Sequence, residues 1–260
     1  MNRAKTTHNR PASQAAAVVL SAAALSCALG LPSSAAAQEP RPDPKTGLYS
    51  LAAGGYPLDA IERVLAPKGK VRCPTVEKTR YPGDVIPYHS KVMVARPFVG
   101  HLRAFERLVA EVAVRHYGRA PRKLRHIGTY NCRRIRQWPT FLSEHGLANG
   151  IDVAGFDFGP APRAERAALP KALRGAFTVR VRKHWRSERA ADARHRAFWH
   201  DLGRELVAAK HIFRVVLGPG YPGHEDHLHL DLAPWRLVEI DLDATDAEAD
   251  PNHAPGGATE

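Results

Sequence analysis

The sequence predicts an α+β fold in which a small antiparallel sheet is flanked by helices. Apolar residues recur at three- and four-residue steps in two stretches, over about 98–117 and about 189–211, which is typical of amphipathic helices. Short alternating or apolar runs predict strands at 124–130, 151–158, 177–182, 212–217 and 227–232. Because helices and strands are mixed along the chain, we expect them to share one domain from about 66 to 238.

The beginning of the chain has the pattern of a secretory signal peptide. Residues 1–37 contain a basic start, an apolar stretch from Ala15 to Leu31 and the run Ala35-Ala36-Ala37, which are the three parts of a cleavable signal. We therefore expect a secreted or periplasmic protein whose mature chain begins near Gln38. The apolar stretch is short for a membrane-spanning helix, so no membrane span is expected after processing.

Composition and charge limit what the rest of the chain can be. The 260 residues are 44% hydrophobic and 25% charged, which is ordinary globular composition and excludes a wholly disordered chain. The Pro-rich start of residues 38–65 predicts a linker or N-terminal extension, and the acidic residues 239–260 predict a disordered tail. The net charge of +12 favours an anionic partner, although a solvated Arg-rich surface explains it equally well. No nucleic-acid-binding motif is present, so nucleic acid is not expected as a partner.

Export changes the interpretation of the three cysteines. Cys27 is expected to leave with the signal peptide, so the mature chain keeps Cys73 and Cys132. Two remaining cysteines in an oxidising compartment often pair, which predicts a Cys73–Cys132 disulfide. Two free buried thiols are the alternative.

Three histidines lie close together near the end of the predicted domain: His224, His227 and His229. In a strand over 227–232, His227, His229 and Asp231 project to one face, and the intervening leucines project to the other. The leucine face belongs in the core, whereas two imidazoles beside a carboxylate need a polar environment. By itself this pattern fits either a metal site or surface histidines.

A second polar group surrounds the start of the predicted strand 151–158. His145 lies in a loop of small residues, and Asp152 projects from the strand on the face opposite Ile151. A flexible loop can fold His145 over Asp152, so that both reach one ion. With one histidine of the later pair they supply two imidazole nitrogens and one carboxylate oxygen, the ligand set of a catalytic zinc with a fourth position open. A Gly-rich turn with an incidental His is the alternative.

The run SEHGLANGID at 143–152, followed by DHLHLD at 226–231, resembles the extensin-like C-terminal domain family. The segments 130–133 and 216–220 add to the resemblance, which covers roughly 66–236. That family is related to the zinc D-Ala-D-Ala carboxypeptidases and murein endopeptidases, and to the hedgehog signalling domain. The resemblance therefore implies a single hedgehog/DD-peptidase-like domain that holds Zn²⁺.

The resemblance also implies roles for individual residues. The positions that match the family's zinc ligands are His145, Asp152 and His229. His227 matches a residue that helps to stabilise the oxyanion in relatives, and Asp226 matches a catalytic Glu. Arg133 and Ser143 match positions that contact substrate in some relatives.

Two loop positions depart from the family's pattern. Ala148 stands where the pattern has Gly, and Gly150 stands where it has Ala, so both positions stay small and the loop geometry can survive. Asp231 is a candidate acceptor for the second ring nitrogen of a zinc-ligating histidine.

The predicted base, Asp226, departs as well because it is one methylene shorter than Glu. Strict alternation turns Asp226 toward the Leu228 face, and it reaches the metal only if the strand begins at His227. Glu225 and His224 are the nearby alternatives for the base.

These assignments predict a secreted zinc-dependent peptidase acting on peptidoglycan stem peptides or cross-links, of the D,D-carboxypeptidase or endopeptidase type. Asp226 is expected to act as the base, and His227, with Arg133, is expected to stabilise the oxyanion. The alternative is a zinc-containing, non-catalytic cell-wall binding module of the same fold, which the short Asp226 favours. A third interpretation is a basic periplasmic protein that binds polyanions.

Overall fold

The computed structural model describes residues 39–242. The predicted signal peptide lies outside the described residues, and so does the predicted tail 239–260 apart from its first four residues. Of these four, Glu239 ends a strand, and the carbonyl of Asp241 accepts from Trp185 Nε1. Within the described part, no helix has the length and apolar character needed to cross a membrane. The strands are β1 (Lys78–Tyr81), β2 (Val92–Ala95), β3 (Lys123–Gly128), β4 (Gly150–Phe158), β5 (Phe177–Arg180), β6 (Val215–Leu217), β7 (Leu228–Asp231) and β8 (Leu237–Glu239). The helices are α1 (Phe98–Tyr117), α2 (Lys171–Arg174), α3 (Val181–His184) and α4 (Ala193–Ala208), with 3-10 turns at Glu144–Leu147 and Ala190–Asp192.

The main sheet has six strands in the order β3-β4-β7-β6-β8, and β5 pairs with β4 outside this path. All of its pairs are antiparallel except β6 with β8. β4 pairs with β7 near its start and with β5 near its end, and it pairs with β3 along its other edge. β1 and β2 form a separate two-stranded antiparallel sheet. The prediction of mixed helices and small antiparallel sheets is confirmed.

The two long helices pack against the main sheet through their apolar faces. α1 begins and ends where the periodicity predicted, and Gly118 ends it in the left-handed conformation, with φ of 68°. α4 turns Phe198 and Trp199 toward β4, where their rings lie 5.8 and 5.4 Å from the ring of Phe156. These side chains are fully buried, so the core lies between the helices and one face of the sheet.

Alternation along β7 separates a core face from a polar face. Leu228 and Leu230 are fully buried in the core, as the period-2 pattern predicted. His229 lies directly opposite Asp152 in the antiparallel register with β4. Because opposite residues of an antiparallel pair project to the same side of the sheet, this register brings the two side chains together.

The shortest elements differ from the prediction. The segment 66–90, predicted to be mostly loop, contains β1, and β2 and β8 were not predicted at all. β5, β6 and β7 are equally short but lie within longer alternating or apolar runs, whereas β1 and β8 lie in stretches whose Pro-rich or acidic composition predicts loop. The predicted strand 177–182 ends at Arg180, because Val181 begins the short helix α3, in which Val181 and His184 are both buried.

Part of the predicted linker packs onto the domain. Tyr56 is buried against the core. The guanidinium of Arg214, just before β6, donates to the carbonyl of Leu51 and to both carboxylate oxygens of Asp59. The Pro-rich composition of 38–65 conceals these few anchoring residues, so composition alone does not identify the packing.

Candidate metal centre

Three of the predicted ligands converge on the polar face of the sheet. Asp152 Oδ1 lies 2.9 Å from His229 Nδ1 across the β4–β7 pair. His145, in the 3-10 turn before β4, places Nε2 3.2 Å from Asp152 Oδ1 and 3.1 Å from His229 Nδ1. One ligand atom from each of the three lies within 4.8 Å of the other two. We call these three residues the His–Asp–His cluster.

Hydrogen bonds to groups outside the cluster determine which nitrogen of each histidine ring carries the proton and which one points into the cluster as an acceptor. His145 Nδ1 lies 3.2 Å from the carbonyl oxygen of Thr129, which can only accept, so Nδ1 donates. His229 Nε2 lies 2.7 Å from Asp231 Oδ2 and donates to it, which is the contact predicted for Asp231. Each imidazole then turns an acceptor nitrogen toward Asp152. While both rings are neutral, three acceptors converge, and a metal ion or an added proton between them would relieve their repulsion.

Without a metal, a proton can supply that positive charge. Burial raises the pKa of Asp152, but hydrogen bonds from His145 and His229 bring it well below its ordinary value. Burial lowers the pKa of His229, but hydrogen bonds to Asp152 and Asp231 outweigh it and raise the pKa to about 10. A metal that binds here therefore displaces a proton from His229.

A buried polar network holds the turn that carries His145. The carboxylate of Glu144 accepts from Arg63 Nε at 2.9 Å and from Asn149 Nδ2 at 2.6 Å. Burial raises the pKa of Glu144, and the Arg63 guanidinium opposes that rise. Ala148 ends the turn in the left-handed region, with φ of 53°. Sequence reasoning missed this network because Arg63 lies far from the motif, within the predicted linker.

Asp226 contacts the cluster only through His227. Asp226 Oδ1 lies 2.8 Å from His227 Nδ1, and its side chain is 49% exposed. His227 Nε2 points the other way, 3.6 Å from Asp152 Oδ1. β7 begins at Leu228, one residue later than Asp226 would need to face the ligands directly. The structure therefore places the predicted oxyanion residue, His227, between the predicted base and the ligands.

The third histidine of the motif packs against the other two. The ring of His224 lies 4.8 Å from that of His227 and 5.7 Å from that of His229. Burial, together with these two neighbours, lowers the pKa of His224 to about 4. Its neighbour Glu225 accepts from the backbone N–H of Gly223.

The two predicted substrate contacts lie beside the cluster in different environments. Ser143 is only 4% exposed, and its hydroxyl accepts from the backbone N–H of His145 as the cap of the turn. Its position favours a structural role. Arg133 is exposed, and its carbonyl accepts from Ser143 N at 3.1 Å. The backbone of Arg133 therefore lies beside the turn that carries His145, and its side chain is accessible.

Cys73 and Cys132 form the predicted disulfide, with Cα atoms 5.8 Å apart. Asn131 N, next to Cys132, donates to the carbonyl of His145 at 3.0 Å. A Cβ atom on Gly146 would lie 2.7 Å from Cys73 Sγ, so the small residue beside His145 lets the disulfide approach the turn. The bridge therefore supports the loop that carries a candidate ligand.

The fold and the cluster define an α+β domain with a candidate metal centre built on a central antiparallel strand pair. The family profile described as Extensin-like protein C-terminus matches residues 58–239, a span that contains the cluster and the disulfide. The chain belongs to this extensin-like family, as the sequence motifs predicted. No curated protein matches the chain significantly, and no solved structure does.

Proposed function

We propose that this chain is a zinc-dependent peptidase that acts on peptidoglycan peptides, of the D,D-carboxypeptidase or endopeptidase type. The observation that carries the proposal is the convergence of His145 Nε2, Asp152 Oδ1 and His229 Nδ1. The motifs that carry these residues resemble those of zinc D-Ala-D-Ala peptidases, which supports the reaction and the substrate class. The disulfide supports export, because such bonds persist in oxidising compartments.

Zinc suits this donor set better than a hard cation does. Catalytic zinc sites typically use three protein ligands drawn from His and Asp or Glu. Calcium and magnesium prefer sites made of oxygen atoms, and the cluster offers two nitrogens and one oxygen. When bound, zinc supplies a Lewis acid that polarises the scissile carbonyl group.

The exposure of the side chains indicates how a substrate approaches. The side chains of Asp152, His227 and His229 are 14%, 13% and 10% exposed, whereas that of His145 is 3% exposed. The cluster is therefore open on the side of Asp152 and His227. A peptide that enters there meets His227 Nε2 before it meets the deeper His145.

We assign proton transfer and hydrogen bonding on this open side to His227. Asp226 Oδ1 accepts from His227 Nδ1, which holds the imidazole in one orientation and leaves Nε2 free to exchange a proton with a group in the site. An Asp that orients a catalytic His in this way also stabilises the imidazolium that forms. Asp226 thus acts through His227, and its shorter side chain is sufficient for that contact.

Metal analysis combined with a peptidoglycan digest tests the proposal. The purified protein should contain about one zinc per chain, measured by mass spectrometry of the metal, and should cleave isolated muropeptides. Asp152→Asn should lose both the zinc and the cleavage because it removes a charged ligand. Asp157→Asn is the matched control on β4, where the carboxylate pairs with Arg125, and it should keep both. Full zinc content in Asp152→Asn would contradict the assignment.

The exposed position of Asp226 also favours a second candidate, a zinc-containing cell-wall binding module without turnover. In a peptidase, Asp226→Asn should reduce kcat by up to about 10⁴-fold, the cost of losing the carboxylate that orients a catalytic His, while the zinc content stays constant. If the wild-type protein holds zinc and binds cell walls but cleaves no muropeptide, the binding module replaces the peptidase.

A further inference from the structure

Two distant segments of the chain, 63–73 and 132–142, run side by side in opposite directions. At one end, Leu142 N donates to the carbonyl of Arg63, and Leu65 N donates to that of Thr140. In the middle, a guanidinium nitrogen of Arg134 lies 3.3 Å from the carbonyl of Gly69. At the other end the disulfide joins the segments. The pairing therefore holds both segments in one surface.

This surface is strongly cationic. The residues that give it positive charge are Lys68, Lys70, Arg72, Arg133, Arg134 and Arg136. We call these six residues the paired basic surface. Neither segment contains an Asp or a Glu. Among residues 39–242, no salt bridge involves any of the six, and five are exposed while Arg134 is half-buried. Uncompensated like charges held together in this way attract an anion.

The paired basic surface lies next to the His–Asp–His cluster. Its second segment begins directly after Asn131, which bonds to His145. Further along the same segment, Gln137 Nε2 donates to the carbonyl of Pro222 at 2.9 Å, in the loop that leads to His224. Trp138 in this segment is 42% exposed, so an apolar ring face accompanies the charges. A long polymer can therefore contact this surface and the cluster at the same time.

We propose that the paired basic surface binds carboxylate groups of peptidoglycan peptides and holds the polymer while one of its peptides occupies the His–Asp–His cluster. This inference rests on the proposed function, because the polymer at the surface is the proposed substrate. Peptidoglycan repeats its free peptide carboxylates along every strand, so several weak charge contacts form on one polymer. Linked contacts of this kind raise the overall affinity well above that of each contact alone.

Co-sedimentation with purified, phosphate-free peptidoglycan tests the binding. The test variant replaces four cations of the surface with Gln: Lys68, Lys70, Arg72 and Arg136. Its affinity should be about tenfold or more below that of the wild-type protein, and wild-type binding should weaken as salt rises. An unchanged circular dichroism spectrum and an intact disulfide show that the variant has folded. Wild-type affinity in the folded variant would overturn the inference.

A matched control separates this surface from the net charge of the protein. The control variant makes the same substitution at four exposed cations on α1, α2 and α3: Arg107, Lys171, Arg182 and Lys183. It carries the same net charge as the test variant and should keep wild-type affinity. Equal loss in both variants would assign the binding to net charge and overturn the inference. Full wild-type affinity for peptidoglycan whose carboxyls have been amidated would overturn it too.

The assay separates failure of this inference from failure of the proposed function. Binding is measured with Asp152→Asn protein, so it requires neither zinc nor cleavage. If the wild-type protein cleaves muropeptides and the four-cation variant still binds peptidoglycan normally, this inference is wrong and the proposed function stands. If peptidoglycan binding depends on the four cations but the protein cleaves no muropeptide, the peptidase proposal is wrong and this inference stands. That result supports a binding module that contacts the cell wall through this surface.

Discussion

At the scale of single residues, Asp231 links the metal centre to the end of β7. Its Oδ2 accepts from His229 Nε2, and its Oδ1 accepts from the backbone N–H of Ala233 at 2.9 Å. Both oxygens are therefore engaged, and the carboxylate fixes the ring of His229 without touching the position where a metal would bind. Any effect on a metal bound there would act through the orientation and basicity of that ring.

We expect Asp231→Asn to weaken zinc binding about 10–100-fold, the usual cost of losing the acceptor behind a ligating histidine. The neutral amide accepts more weakly, so His229 becomes a poorer ligand. Competition with a chromophoric chelator measures the affinity. Asp157→Asn, which changes the same group on the adjacent strand, is the control and should bind zinc normally. Equal affinities in the two variants would show that Asp231 does not act on the metal.

Ala148 holds a conformation that side chains rarely adopt. It is fully buried, with φ of 53°, at a position where the family pattern has Gly. We expect Ala148→Val to destabilise the protein by about 2 kcal/mol or more, because a β-branched residue is strained in this region and the site is already packed. Urea unfolding measures the change. Ala148→Gly should stay within about 1 kcal/mol of the wild-type protein, because it relieves strain but removes a buried methyl group.

The motif residues were predictable one by one, and their supports were not. His145, Asp152 and His229 carry a recognisable spacing, and a strand period places Asp152 and His229 on polar faces. Arg63 and Tyr56 have no such signal, since their roles depend on long-range contacts to Glu144 and Asn149. The one clue in the sequence is Glu144, an acid next to His145, because an acid that becomes buried there requires a cationic partner from elsewhere in the chain.

At the scale of elements, the pairing of β4 with β7 decides whether a centre forms. The sequence indicates which face of each strand is polar, but the register that pairs Asp152 with His229, 77 positions further along the chain, depends on tertiary packing. A slip of one residue would turn His229 into the core. The long helix α1 was predictable to its last residue because 20 residues of helical period carry a strong signal, whereas β1 and β8 lie in stretches whose Pro-rich or acidic composition predicts loop.

Helices α1 and α4 are joined by a partly buried charge contact that gives the fold a measurable pH dependence. Burial raises the pKa of Asp201, but hydrogen bonds from His116 and Arg204 outweigh it and lower the pKa from 3.8 to about 2. A carboxyl whose pKa is lowered on folding stabilises the protein above its unfolded pKa. That contribution is lost as the pH falls through the folded value.

We expect Asp201→Asn to cost about 1 kcal/mol of stability at pH 7, a value reduced by solvent screening at this partly exposed site. The difference from the wild-type protein should shrink between about pH 4 and pH 2, where Asp201 itself becomes protonated. Urea unfolding at several pH values measures it. Glu205→Gln is the control on α4, since its pair with Arg115 is largely exposed, and it should change stability little. A constant difference at all pH values would contradict the assignment.

At the scale of the whole molecule, the disulfide joins residues 59 positions apart. We expect the double replacement of Cys73 and Cys132 by Ala to lower the free energy of unfolding by about 2–4 kcal/mol, because the unfolded chain gains freedom. Thermal and urea unfolding of the oxidised wild-type protein and the variant measure the loss. A difference below about 1 kcal/mol would show that the packing of the two segments already provides the constraint.

The N-terminal segment determines where a foldable unit can begin. The family match begins at residue 58. A chain that began there would lack the Tyr56 hydroxyl that donates to buried Asn149, and the Leu51 carbonyl that accepts from Arg214. Asn149 would lose a donor and Arg214 would lose an acceptor while both side chains stayed in the interior, which costs free energy of folding. A recombinant domain should therefore begin before Leu51, so that it keeps these residues as well as those from residue 58 onward.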